Sequence, residues 1–153
     1  MAFKFRLQAL MTLRQTLKEQ AEQELARWIA RRQNILDIIK QLEDQIEIHQ
    51  ATLSKAISKG LKSYEYQQQV DFLNNLIRKL QYRKDQLIGV EEHLENAKKL
   101  LQKRHAELKA VETLKEKAFL KYLKEQQRRE QVEADEFATI RYTNTHRHQE
   151  STS

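Results

Sequence analysis

The sequence predicts an all-α protein, an antiparallel two-helix coiled-coil hairpin whose second helix outruns the first. Three observations predict it. The chain of 153 residues has no proline and only two glycines. Its charged fraction is 33% and its apolar fraction 39%, against about 25% and 45–50% in ordinary globular domains. Its apolar residues recur at spacings of three and four over most of its length, the periodicity of an amphipathic helix. That is too little apolar material for a compact core, and too much, too regularly placed, for disorder.

The first helix is read from a line of seam positions: Leu7, Leu10, Arg14, Leu17, Ala21, Leu25, Trp28, Arg32, Ile35, Ile39, Leu42, Ile46, His49, Leu53 and Ala56. Twelve of these fifteen are apolar. The successive four-residue steps at Leu17, Ala21 and Leu25 form a stutter, where a left-handed supercoil unwinds locally.

Next comes SKAISKGLKS, residues 54–63. A glycine costs about 1 kcal/mol inside a helix and commonly sits just past a helix end in a left-handed cap. Ser63 is a candidate N-cap for a helix starting at Tyr64. The segments are therefore helix 3–57, turn 58–63 and helix 64–140, forming a single hairpin unit over 1–142, with a disordered polar tail over 143–153. The competing architecture is one long helix kinked at Gly60 and paired in a parallel dimer.

The second helix carries Tyr66, Gln69, Leu73, Leu76, Leu80, Arg83, Leu87, Val90, Leu94, Ala97, Leu101, Arg104, Leu108, Val111, Lys115, Ala118 and Tyr122. This is a strict heptad line with thirteen of seventeen positions apolar. Sustained heptads of this length mean coiled coil. At 1.5 Å per residue the rods would be roughly 80 and 115 Å long. Folding back at Gly60 pairs residues whose numbers sum to about 122, which puts Trp28 near Leu94. It leaves the chain beyond about residue 120 without a partner helix. Gly89, with no terminus signal around it, is read as a tolerated or close-packed position.

Chemistry is hard to place on such a scaffold. The chain contains no cysteine, no phosphate-cradling glycine loop and no His-Glu-x-x-His. Glu91–Glu92 and Asp135–Glu136 are adjacent on a helix and point apart. His49 falls on a seam, and His146 with His148 is a lone His-x-His, weak as a metal site without a third ligand. No catalytic residue, cofactor or metal is expected. The first residues, MAFKFRLQAL, alternate charged with apolar residues and form no apolar h-region. No stretch reaches the roughly 20 apolar residues that span a bilayer. The chain is expected in the cytoplasm or held at a membrane surface by a partner, without inserting itself. The net charge is +6, with both signs interspersed as on a solvated helical surface. A nucleic-acid-binding coiled coil would need its cations on one face, and the interleaved glutamates argue against it.

What remains is interaction. Phe72, Ile77 and Leu100 lie beside the seam, and Phe119, Leu120 and Leu123 begin where the first helix should run out, followed by Phe137 and Ile140. Apolar residues on an unpaired helix favour another protein's groove.

Four segments together, FRLQALMTLRQTLKEQAEQELAR, the turn glycine, YQQQVDFLNNL and YLKEQQRREQVEADEFATIR, resemble FliJ, a family of small coiled-coil proteins of the bacterial flagellar type III export apparatus. The resemblance covers residues 1–141. It implies a fold similar to the central stalk of rotary ATPases and a chain that is not an enzyme. It also implies association with the hexameric export ATPase FliI and its stimulation, contact with the export-gate membrane protein FlhA, and handling of export chaperones. By position it assigns gate contact to Phe72, Leu76 and Leu42. The family's tyrosines fall here on Gln45 and His49, a departure from its pattern. It assigns ATPase contact to the ends of the hairpin, around Leu13 and Leu17 on the first helix. On the second it points to Phe119, Leu120, Leu123, Arg128 and Arg129. A stalk protein of a virulence type III secretion system is the alternative within the same structural class.

Overall fold

The computed structural model describes residues 2–151. Two helices, α1 (Gln8–Lys59) and α2 (Ser63–Ser151), account for nearly all of them and pack against each other as a helical hairpin. Among the described residues there is no strand.

Gly60 makes the turn. It is the one described residue with φ in the left-handed region, at +89°, and its N–H donates to the Ile57 carbonyl at 3.2 Å. Lys59 in the last turn of α1 places a positive charge against the carbonyl end of the helix dipole. α2 starts one residue earlier than Ser63 capping would have it, because the Lys62 carbonyl already accepts the Tyr66 N–H at 2.9 Å.

The chain divides into two compact units, one made of the chain as far as Gln15 with the chain from Ala106 onward, the other Thr16–His105. In the second unit Ile35, Ile39 and Val90 form a buried cluster, with Trp28, Leu80 and Leu87 packed against it. Ala21, Leu76, Leu94 and Ala97 are also buried there, and Leu108 and Val111 are buried in the other unit. All fifteen seam positions read from the first helix are buried or half-buried. So are those of the second, except Tyr66 and Gln69 at its start.

The polar seam residues fix the register. Arg14 donates to Glu107 at 2.8 Å and Lys115 to Gln8 at 3.1 Å in one unit. In the other, Arg32 donates to Glu91 at 3.3 Å, and Trp28 stacks on His93. In each pair the residue numbers add to 121 or 123, the antiparallel register expected from a turn at Gly60. A one-turn slip would break all of these pairs. The chain therefore closes on itself, which sets aside the kinked helix.

Two boundaries and one packing expectation differ from the sequence reading. α1 begins at Gln8, because residues 3–7 alternate half-buried Phe3, Phe5 and Leu7 with exposed Lys4 and Arg6. A period of two is that of extended chain, and the Gln8 N–H closes the segment onto the Phe5 carbonyl. The tail expected to be disordered is helical to Ser151. No glycine or proline interrupts it, and Thr139, Thr143 and Thr145 turn their hydroxyls onto the carbonyls four residues back, so they do not compete with the helix from outside. Gly89 is not close-packed, since a Cβ there meets nothing within 4 Å.

Candidate functional site

Two surface regions bring exposed apolar residues together with charged ones, one in each unit.

In Thr16–His105, Phe72 lies 4.5 Å from the His49 ring, tilted by 55°, and is 47% exposed. It rests on the seam and presents its outer face to solvent. Leu76, one turn on, is buried at 6% and belongs to the core. Leu42 is half-buried at the floor of an open groove with Ile38, walled by Arg78, Lys79, Tyr82 and Arg83. Arg83 lies over the Tyr82 ring. Phe72, Lys79 and Gln86 follow at seven-residue spacing on one side of α2, so Phe72 and the groove share a face. Of the three residues the resemblance assigns to gate contact, the structure offers two on this face and keeps Leu76 beneath it. Sequence reading missed Ile38, Tyr82 and the three cations. Three cations in six residues, 78–83, around an off-seam tyrosine were the available signal. Leu17 is half-buried in another open groove with Ala21, Leu100 and Arg104, at the stutter.

In the other unit the N-terminal segment packs on α2. The Phe3 ring meets Phe119 edge-on at 5.3 Å and Tyr122 at 5.4 Å. Phe119 therefore has an intramolecular partner. Gln126 is the last half-buried position, and every residue from 127 to 151 is exposed. Phe119, Leu120 and Leu123 remain 41–53% exposed, and Leu13 is exposed on α1. Farther along, Phe137 and Ile140 are exposed, with Arg141 over the Phe137 ring. Glu125 accepts three bonds from Arg128, the shortest at 2.8 Å, and lies 3.7 Å from Arg129. The hydrogen bond from Arg128 holds the Glu125 carboxyl below its usual value, and the same bond raises the Arg128 guanidinium. Beyond this knot the chain turns acidic at Glu130, Glu133, Asp135 and Glu136.

Both regions are open surfaces on paired or single helices. They suit packing and charge pairing with another macromolecule, and neither gathers convergent groups around an enclosed volume. Such a molecule is a helical hairpin with open apolar and charged faces. Among the described residues no helix is long and apolar enough to cross a membrane.

Within that class the chain belongs to the flagellar FliJ protein family, whose match covers residues 3–147. A flagellar FliJ protein of Bacillus subtilis (strain 168) is 22% identical over 138 residues, covering 90% of this chain and 94% of the relative. No solved structure matches. The chain is thus a flagellar, export-related protein.

Proposed function

We propose that the chain is a non-catalytic adaptor of the flagellar export apparatus that binds and stimulates the export ATPase at one end and contacts the membrane export gate at the other. The observation that carries the proposal is the exposed set Phe119, Leu120 and Leu123, followed by a helix whose residues 127–151 are all exposed. Apolar side chains on an exposed helix suit the cavity of a ring. Arg128 and Arg129, followed by the acidic stretch, supply charge of both signs along its length. Leu13 adds an exposed apolar residue on α1, and Leu17 contributes through its groove.

The gate surface is Phe72 with the groove floored by Leu42. Leu76 acts there only by supporting Phe72 from below. Export chaperones engage the same exposed helical faces, and association with the inner membrane is peripheral, through the apparatus. Family membership favours the flagellar apparatus over a virulence secretion system.

The test is deletion of residues 127–153. Every seam position read from the sequence lies before the cut, so the hairpin should keep its helicity while stimulation of the export ATPase is lost. Moderate excess of the truncated chain should not restore the rate. Stimulation equal to that of the intact chain would remove this end from the ATPase.

A further inference from the structure

Along the sequence the charges of the second half alternate in sign, but around the helix they separate. Ala110, Leu114, Lys117, Lys121, Lys124 and Arg128 follow one another at steps of four and three, so they form one line on α2. All six are exposed. No carboxylate falls on the line until Asp135, seven residues past Arg128. That is roughly 10 Å on, beyond one Debye length of about 8 Å at physiological salt.

The acids of this stretch are turned away or engaged. Glu112 and Glu116 fall on another side of the helix, and Glu107 is bonded to Arg14. Glu125, beside the line, is held by Arg128 and Arg129. Lys117, Lys121 and Lys124 have no ion pair among the described residues. The N-terminal segment adds a fourth cation, since Lys4 lines the same groove as Lys121. Two apolar side chains stand among them, Leu114 on the line and Leu120 beside Lys117 and Lys124, 49% and 53% exposed.

We propose that this face is a peripheral membrane-binding surface that takes anionic phospholipid headgroups. Four cations with a common outlook are the size of cluster that binds anionic lipid. The leucines among them suit the headgroup–acyl boundary, into which they dip while the lysine ammonium groups stay at the phosphates. Single-stranded nucleic acid fits the face less well, because the line carries no aromatic ring for bases to stack on. The surface shares Leu120 and Arg128 with the ATPase reading, but none of the three lysines belongs to the residues assigned there, so the lysine variants test it separately.

The test is flotation of the full chain with phosphatidylcholine vesicles, with and without phosphatidylglycerol. The chain should float only with the anionic vesicles, and less as salt rises. Each lysine near such a surface contributes about fivefold in partitioning. Lys117→Gln, Lys121→Gln and Lys124→Gln together should therefore lower binding about a hundredfold at unchanged helicity. Their replacement by Glu should abolish it. Leu114→Ser should weaken vesicle binding several-fold. Absence of flotation, equal flotation with neutral vesicles, or unchanged binding by the triple variant would overturn the proposal. So would displacement from the vesicles by a short DNA duplex whose own binding ignores Leu114→Ser.

Discussion

Trp28 and His93 lie flat on one another across the hairpin, their ring centroids 4.5 Å apart and their planes within 8°. Trp28 Nε1 donates to Glu24 at 2.9 Å, and the Arg31 guanidinium covers its ring at 4.7 Å. The only tryptophan of the chain is thus held by both helices and reports on their pairing. His93→Ala should shift its emission to the red and lower stability by about 0.5–1.5 kcal/mol, the usual worth of an aromatic pair. Unchanged emission would mean the stack is not populated in solution.

The two glycines should respond with opposite signs. Gly60 holds φ at +89°, where a side chain strains the backbone, so Gly60→Ala should destabilise by about 1 kcal/mol or more. Gly89 lies inside α2 with open space where a Cβ would stand. Gly89→Ala should stabilise by about 0.5–1 kcal/mol, the difference in helix propensity. Chemical denaturation of the two variants decides both, and the same sign for both would contradict the turn.

Phe72 and Leu76 separate contact from core. Phe72→Ala should weaken gate binding and cost no more than about 1 kcal/mol, since the ring is half exposed and loses chiefly its contact with His49. Leu76→Ala empties a buried seam position and should cost about 2–5 kcal/mol. A large fall in thermal midpoint for Phe72→Ala would place it in the core and withdraw it as a binding residue.

Glu125 has a pH signature. Its carboxyl is held below the usual value chiefly by the Arg128 hydrogen bond. Its contribution to α2 is therefore present above the ordinary carboxylate range and is lost as pH falls through the depressed value. Carboxyl titration by NMR should show the midpoint returning toward normal in Arg128→Ala. No change in midpoint would mean that the bond is not populated.

The pairing of the helices was legible because it rests on period alone. The seam lines and a single glycine gave the turn and the register. Two features defeated that reading for different reasons. At the N-terminus, Phe3, Phe5 and Leu7 could be fitted to a helical line through Leu7, although their alternation with Lys4 and Arg6 already carried a period of two. At the C-terminus, polarity suggested disorder, but polarity measures the lack of a core rather than the lack of a helix. The candidate surfaces were less legible. Leu42 came through family resemblance, whereas Ile38, Tyr82 and Arg83 join it only once α1 and α2 lie side by side. The lysine face was hidden because reading along the chain mixes charges that the helix sorts by angle.

Among the described residues, no large side chain is fully buried. A seam one side chain thick leaves every layer next to solvent and dependent only on the layers above and below. Damage to such a molecule stays where it is made, so a substitution loosens its own turn of helix and little else. The sequence is then free to be rewritten turn by turn, provided each new pair keeps the polarity of the old.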